Sequence, residues 1–186
     1  MTGNKPGAAV PALDFRIAQP ADVPNIVSLV NSAYRGDSSR KGWTTEADLL
    51  DGQRTDREEI NSILADPNSV FFLGESNGEL IASAHLQKAG DQAHFGMFAV
   101  KPGLQNGGIG KRFMQAAEGF VRSSWQCSSL TMSVITLRLS LIAFYERRGF
   151  RRTGEIKPFP QSEKFGIPKV SGLQLEVLEK PLVSGD

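Results

Sequence analysis

The stretch 99–118, AVKPGLQNGGIGKRFMQAAE, constrains this chain more than any other part of its sequence. It holds three glycines within four residues, and Lys111 follows directly. A strand-like run over 94–100 leads into this turn, and apolar residues with helical spacing follow it. The first turn of a helix carries unpaired N–H groups and the positive end of the helix dipole. Because glycines let an anion approach the backbone, the pattern predicts a phosphate-binding turn.

Three other interpretations of the turn compete with this one. A Walker A loop requires lysine where Ile109 stands, and a dinucleotide-binding fingerprint requires glycine where Phe113 stands. A tight hairpin at Asn106-Gly107 predicts alternating apolar residues afterwards, whereas the residues that follow have a helical period. The turn therefore favours a strand–turn–helix cradle for a pyrophosphate.

Composition narrows the class of protein. The 186 residues carry a net charge of +1, which favours neither nucleic acid nor a membrane surface as a partner. No apolar run approaches the ~20 residues of a membrane helix. Residues 1–11 lack a secretory pattern, so we expect a flexible tail there and a single domain over 12–183. Cys127 is the only cysteine, which excludes an intrachain disulfide and suits the cytoplasm.

Hydrophobic periodicity and turn residues predict an α/β chain with a mixed sheet and helices on its faces. The predicted order is β-α-α-β-β-β-α-β-α-β-β. Thr44 or Thr45 is expected to cap a short helix, and Thr55 with Glu58 forms a capping-box pattern. The pair Asn77-Gly78 between two strand-like runs predicts a hairpin.

Two sequence blocks resemble signatures of the GNAT superfamily of N-acetyltransferases. Gln105-x-x-Gly108-x-Gly110 resembles the Q/R-x-x-G-x-G/A motif, and HFGMFAV before it resembles the family's fourth strand. LIAFYERRGF, 141–150, resembles the second signature, a helix that carries tyrosine and ends in Gly-Phe. The resemblance implies the GNAT-like acyl-CoA N-acyltransferase fold, with six to seven strands and about four helices.

The resemblance also implies roles for individual residues. Acetyl-CoA would be the cosubstrate, and its pantetheine arm would meet the backbone of Phe98, Ala99 and Val100. Tyr145 matches the tyrosine that gives a proton to the departing CoA thiolate, although packing at a helix end is the alternative. The pyrophosphate would lie against the turn itself, formed by Gln105, Asn106, Gly107, Gly108, Ile109, Gly110 and Lys111.

The base that removes the amine proton is less defined. Glu46 is the expected catalytic base, with His94, His85, Glu75 or a water chain as alternatives. Two histidines alone make a poor metal site, so no metal is expected. Trp43 and Phe159 are candidate walls of the acceptor pocket, although packing in the core is the favoured interpretation for each taken singly. Arg138 stands where the family often has asparagine, which departs from the pattern.

The resemblance therefore implies an acetyl-CoA-dependent N-acetyltransferase that acts on a small-molecule or peptide amine. A non-catalytic CoA-binding sensor on the same fold is the alternative, and a longer acyl chain is a third hypothesis. The sequence does not identify the acceptor. Homodimers are common among the proteins it resembles, but no residue pattern fixes the oligomeric state.

Overall fold

A seven-stranded mixed sheet organises the fold in the computed structural model, which describes residues 12–182. The predicted tail over 1–11 and the predicted last domain residue, 183, lie outside this range. In chain order the elements are β1 (Asp14–Ile17), α1 (Val23–Tyr34), α2 (Gly36–Ser39), β2 (Leu50–Asp51), α3 (Arg57–Ala65), β3 (Ser69–Ser76), β4 (Glu79–Ala89), β5 (Gln92–Val100), α4 (Ile109–Trp125), β6 (Ser129–Ile135), α5 (Leu139–Glu146), β7 (Arg151–Pro158), β8 (Ile167–Pro168) and β9 (Gln174–Pro181).

The strand order is β1-β3-β4-β5-β6-β9-β7, and β2 pairs with β8 in a separate two-stranded ribbon. Only β5 and β6 pair in parallel; the other pairs among the described residues are antiparallel. The Asn77-Gly78 turn joins β3 to β4, with both residues at positive φ as the hairpin requires. The predicted fold class and the order of the main elements are confirmed; α2, β2 and β8 are additional.

Helix α4 packs one apolar stripe against the sheet, because its buried positions recur at helical spacing. Phe113 is fully buried and lies 5.5 Å from the ring of Phe72 and 5.3 Å from that of Phe98. This aromatic packing fixes the start of α4 against β5. The buried stripe consists of Ile109, Phe113, Met114, Ala117 and Val121.

Two local predictions were wrong in detail. No helix of the described residues begins at Thr44 or Thr45. Thr44 Oγ1 accepts a hydrogen bond from Gln105, and Thr45 Oγ1 accepts the Ala47 N–H at 3.2 Å in a turn that does not continue as a helix. The cap of α3 is displaced by one residue from the predicted box. Its N-cap is Asp56, whose carboxylate accepts the Glu59 N–H at 2.8 Å. A carboxylate caps a helix better than threonine and displaces it here.

Strands β5 and β6 separate halfway along the sheet, and the resulting gap positions the site. Their pairing ends at His94 and Thr131. The register between β4 and β5 shifts beyond this point, and Met97 has a φ of 47°, which marks a bulge in β5. Because β6 no longer pairs with β5 there, backbone groups of residues 96–98 face an open cleft.

Candidate active site

The cleft has two compartments, and the first lies beside the glycine turn. This compartment, the glycine groove, has a volume of about 470 Å³. Most of the predicted CoA-binding residues line it: Phe98, Val100, Gln105, Asn106, Gly108, Gly110 and Lys111. Ala99 and Ile109 have buried side chains in the core, so only their backbones can contribute. Gly107 belongs to the same turn but does not line the groove.

The glycine turn leads directly into the N-terminus of a helix, as the sequence predicts. Asn106 and Gly108 have φ values of 71° and 77°, and α4 begins directly after Gly108. No side chain caps this end of α4. None of the backbone hydrogen bonds recorded for residues 12–182 uses an amide of 105–111 as donor. These N–H groups therefore remain available to an anion.

Gln105 has a role that its motif position does not reveal. Its side chain accepts the Trp43 N–H at 2.9 Å and donates to Thr44 Oγ1 at 2.9 Å and to the Val100 carbonyl at 3.1 Å. Gly42 allows this approach, because a Cβ there would lie 2.6 Å from the Gln105 amide. Gln105 thus ties the loop after α2 to the glycine turn. Trp43, predicted as an acceptor-pocket wall, instead lines the glycine groove and packs on Phe144.

Positive charge surrounds the groove. Lys111, Arg147 and Arg148 line it. Arg148 is fixed over the Phe144 ring, with its Cζ 3.3 Å from the ring centroid, and donates to the Phe144 carbonyl at 2.7 Å. The charges of Arg147 and Arg148 therefore face the groove, whereas nearby Arg152 pairs with Glu146 and Glu176.

The second compartment, the arginine cavity, has a volume of about 290 Å³. Its walls are largely apolar and come from β5, β6, α5 and the segment after β7, which includes Phe159. Besides Tyr34 and Tyr145, its ionisable walls are Arg35, Arg54, Arg138, Glu46 and His94. Three guanidinium groups face one carboxylate, so the cavity has a formal charge of +2 with the imidazole neutral.

Glu46 lies between two of these arginines. Arg35 donates to Glu46 Oε2, and Arg138 Nη1 donates to Oε1 at 3.2 Å. All three side chains are almost fully buried. Because both oxygens of Glu46 accept from guanidinium groups, this geometry favours a positioning role over the predicted proton removal.

Two tyrosines stand where the compartments meet. Tyr34 and Tyr145 line both of them, together with Phe98 and Leu141. The Tyr34 hydroxyl donates to the Phe98 carbonyl on the bulged strand, whereas no hydrogen bond is recorded for the Tyr145 hydroxyl among residues 12–182. Burial raises the pKa of Tyr34 to about 12 and raises the pKa of Tyr145 further, so both are neutral phenols near pH 7.

The alternative bases have separate environments. His94 lines the arginine cavity, and burial lowers its pKa, as does the charge of Lys157. His85 stacks on Phe71 and lines neither compartment. Glu75 accepts from Arg16 at the other edge of the sheet. Of these three groups, only His94 reaches the cleft.

Sequence reasoning missed Tyr34, Arg35 and Arg54 as parts of the site. They lie at the end of α1 and before α3, where an isolated arginine is ordinarily solvated, so no local pattern distinguishes them. Arg138 was visible only as a departure from the family pattern. Between residues 12 and 182, no cluster of three or more His, Cys, Asp or Glu side chains could hold a metal ion. No helix in this range is long and apolar enough to cross a bilayer.

Solved structures of acetyltransferases share this fold. The chain matches the ribosomal-protein-S18-alanine N-acetyltransferase of Escherichia coli with a TM-score of 0.68 and 16% identity, covering 94% of this chain and 97% of that one. An N-acetyltransferase from Staphylococcus aureus Mu50 gives 0.68 at 15% identity, covering 93% and 99%. A putative phosphinothricin N-acetyltransferase gives 0.67 at 17%, covering 93% and 100%. At such identities the likeness concerns the fold alone.

No protein of curated function matches this sequence. The acetyltransferase (GNAT) family model, in contrast, matches residues 29–150, which is more than half of the 186 residues. This range contains the glycine turn, the bulged strand and the helix of Tyr145. The chain therefore belongs to the GNAT family of acetyltransferases.

Proposed function

We propose that this protein transfers an acetyl group from acetyl-CoA to the amine of a small molecule or peptide by direct attack. The observation that carries the proposal is the position of Tyr145, which lines both the glycine groove and the arginine cavity. An acetyl donor in one compartment and an amine in the other would meet beside its hydroxyl.

The glycine groove fits the diphosphate of CoA. Uncapped amides at the start of α4, the left-handed turn at Gly108 and the charge of Lys111 form a cradle for an anion. Beyond the turn, the unpaired edge of β5 offers backbone groups to the pantetheine arm. A backbone N–H at Met97 or Phe98 would polarise the thioester carbonyl, an interaction worth about 2.7–4 kcal/mol.

Tyr34 positions this edge of β5. Its hydroxyl holds the Phe98 carbonyl and so fixes the bulge that directs the neighbouring N–H groups into the cleft. Preorganised donors act without reorganisation at the moment of reaction. Tyr34 is thus a positioning residue, and Tyr145 is the group placed to react.

Tyr145 would protonate the leaving thiolate. The new C–N bond forms as the C–S bond breaks, the sulfur takes the phenolic proton, and the amine loses one proton to water or to the neutral imidazole of His94. Burial raises the pKa of the phenol, but a thiolate beside it is desolvated as well. Because burial disfavours both anions, the proton transfer is less uphill than the raised pKa of the phenol alone implies.

The test is thiol release from acetyl-CoA with a panel of amines, comparing wild type with Tyr145→Phe. We expect kcat to fall about 100-fold in this variant, the lower range for general acid–base catalysis, with the Kd for CoA unchanged. Tyr34→Phe is the matched control, because it removes a hydroxyl from the same junction. Tyr34→Phe should raise KM for acetyl-CoA as well as lower kcat, because the bulge in β5 loosens when the hydroxyl is removed.

Two outcomes would contradict the proposal. CoA binding without turnover of any amine would favour the sensor hypothesis, and failure to bind CoA would exclude both. Comparing acetyl-CoA with longer acyl thioesters tests the remaining hypothesis. A higher kcat/KM with a longer thioester would mean that the transferred group is a longer acyl chain and not acetyl.

A further inference from the structure

The charge of the arginine cavity bears on the identity of the acceptor. Arg35, Arg54 and Arg138 line it against the single carboxylate of Glu46. Amines enter enzymes mainly as ammonium ions, and a cavity with a surplus of guanidinium charge repels them. A simple amine or polyamine is therefore a poor occupant, whereas a molecule that carries its own anion would offset the charge.

Glu46 neutralises only part of this charge. It bridges Arg35 and Arg138, and the recorded contact uses Nη1 of Arg138. The guanidinium of Arg138 has further N–H groups beyond this contact. The bridge also fixes the Arg138 side chain at the start of α5, on the wall of the cavity.

Arg54 adds a donor that the chain itself leaves unsatisfied. Its Nη1 is buried, and no hydrogen-bond partner is found for it among residues 12–182. The guanidinium lies 6.0 Å from the centroid of the Tyr34 ring, and Arg54 and Tyr34 both line the cavity. A buried donor without a partner is rare in folded proteins and points to an acceptor atom supplied by a ligand.

We propose that the acceptor of this acetyltransferase is a small amine that also bears a carboxylate, held by Arg54 and Arg138. The proposal rests on the proposed function, since it names the substrate of the same site. Guanidinium groups match the planar carboxylate with paired N–H donors. The apolar walls, including Met132, Val134 and Phe159, suit an uncharged side chain on the same molecule. The positive cavity also favours the neutral form of the amine, which is the form that attacks.

Matched amines test the proposal. Leucine, leucinamide and 3-methylbutylamine share one branched side chain, but only leucine carries a carboxylate. In a second set without this side chain, 4-aminobutyrate carries a carboxylate and butylamine does not. We expect kcat/KM of wild type to be at least 10-fold higher for the carboxylates than for their partners, as for a hydrogen bond to a charged group. Preference for leucinamide or the simple amines would overturn the proposal while leaving acetyl transfer to amines intact.

Variants assign the preference to the cavity. Arg54→Gln should lower kcat/KM for the carboxylates about 10- to 100-fold and change that of the simple amines less than ~3-fold, so the selectivity collapses. Arg138→Lys should retain part of the preference, because it keeps the charge but loses the paired geometry. Arg40→Gln is the control: Arg40 pairs with Asp48 at the surface and does not line the cavity. Equal losses for both classes of amine in Arg54→Gln would contradict the assignment.

A binding measurement decides the case in which no panel amine is acetylated. Calorimetric titration of the same five compounds into wild type saturated with CoA should detect the carboxylates, and Arg54→Gln should abolish that signal. Absence of binding, or equal binding of leucine and leucinamide, would overturn the proposal. If the protein did not bind CoA at all, this result would contradict the proposed function itself.

Discussion

The two halves of the cleft are built from different materials. The glycine groove uses backbone: uncapped amides at the start of α4, a left-handed glycine, and the unpaired edge of β5. The arginine cavity uses side chains from segments that are distant in the chain, brought together at Glu46. Under the proposed function, the glycine groove would bind the part that all CoA esters share. The arginine cavity would hold the charges that distinguish one acceptor from another.

This difference implies different sensitivities to mutation. Backbone donors cannot be removed by changing a side chain, so the groove should tolerate most substitutions that keep its φ angles. Buried ionic groups depend on their partners, because an isolated charge loses its compensation when a partner is removed. The arginine cavity should therefore be the half in which single substitutions cost the most free energy of unfolding.

Glu46→Gln carries the largest expected effect. It leaves Arg35 and Arg138 facing each other with no carboxylate between them. We expect the free energy of unfolding in urea to fall by about 3 kcal/mol, the lower range for breaking a buried ion pair. The Kd for CoA should change less than ~2-fold, since the glycine groove does not contain Glu46.

Glu79→Gln is the matched control, because Glu79 pairs with Lys101 at the surface. Exposed pairs contribute about 0–1 kcal/mol, so this variant should be close to wild type. If Glu46→Gln were as mild as the control, the two arginines would not depend on the carboxylate. This result would contradict the claim that substitutions in the arginine cavity cost the most free energy of unfolding.

The same division explains what the sequence allowed us to predict. The glycine turn is contiguous, and its φ requirements and helical sequel are encoded locally, so the motif, fold and family were confirmed. The arginine cavity assembles from segments that are distant in the chain, and nothing around Arg35 or Arg54 indicates that these residues line it. Arg138 drew notice only because the family often has asparagine there. Trp43 was one candidate wall of the acceptor pocket, but the Gln105 hydrogen bond to its N–H holds it at the groove.

Acid should weaken the protein through its two partly buried histidines, His85 and His94. The pKa of His85 is lowered to about 4 by burial, then by the charge of His94. The unfolded chain, with a His pKa near 6.5, binds more protons between these values. Stability is therefore complete above pH ~6.5 and is lost as pH falls toward 4, by about 2 kcal/mol from this group at pH 5 relative to pH 7.

The measurement is urea unfolding of wild type and His85→Gln at both pH values. The variant should lose less stability between pH 7 and pH 5 than wild type, whatever its stability at pH 7. His94 adds to the remaining slope, because its pKa is lowered as well. The Arg16 hydrogen bond to Asp22 and the Asn68 and Ser69 hydrogen bonds to Asp66 lower the pKa of these carboxylates, which therefore contribute only in stronger acid. If His85→Gln lost as much unfolding free energy between pH 7 and pH 5 as wild type, groups other than His85 would cause the loss in acid.

Gly108→Ala has the smallest expected effect on stability and tests the backbone half directly. Gly108 and Gly78 both have a φ of 77° and open space where a Cβ would stand, but Gly78 lies in the distant β3–β4 hairpin. Alanine at either position should cost about 1 kcal/mol of unfolding free energy, because the left-handed conformation is strained for any residue with a Cβ. Only Gly108→Ala should also raise the Kd for CoA, by about 10-fold. A shift of the turn would move the amides of α4 away from the diphosphate. Equal CoA affinity in the two variants would mean that the groove does not depend on this conformation, and its anion site would then have to rest on the side chains of Lys111, Arg147 and Arg148.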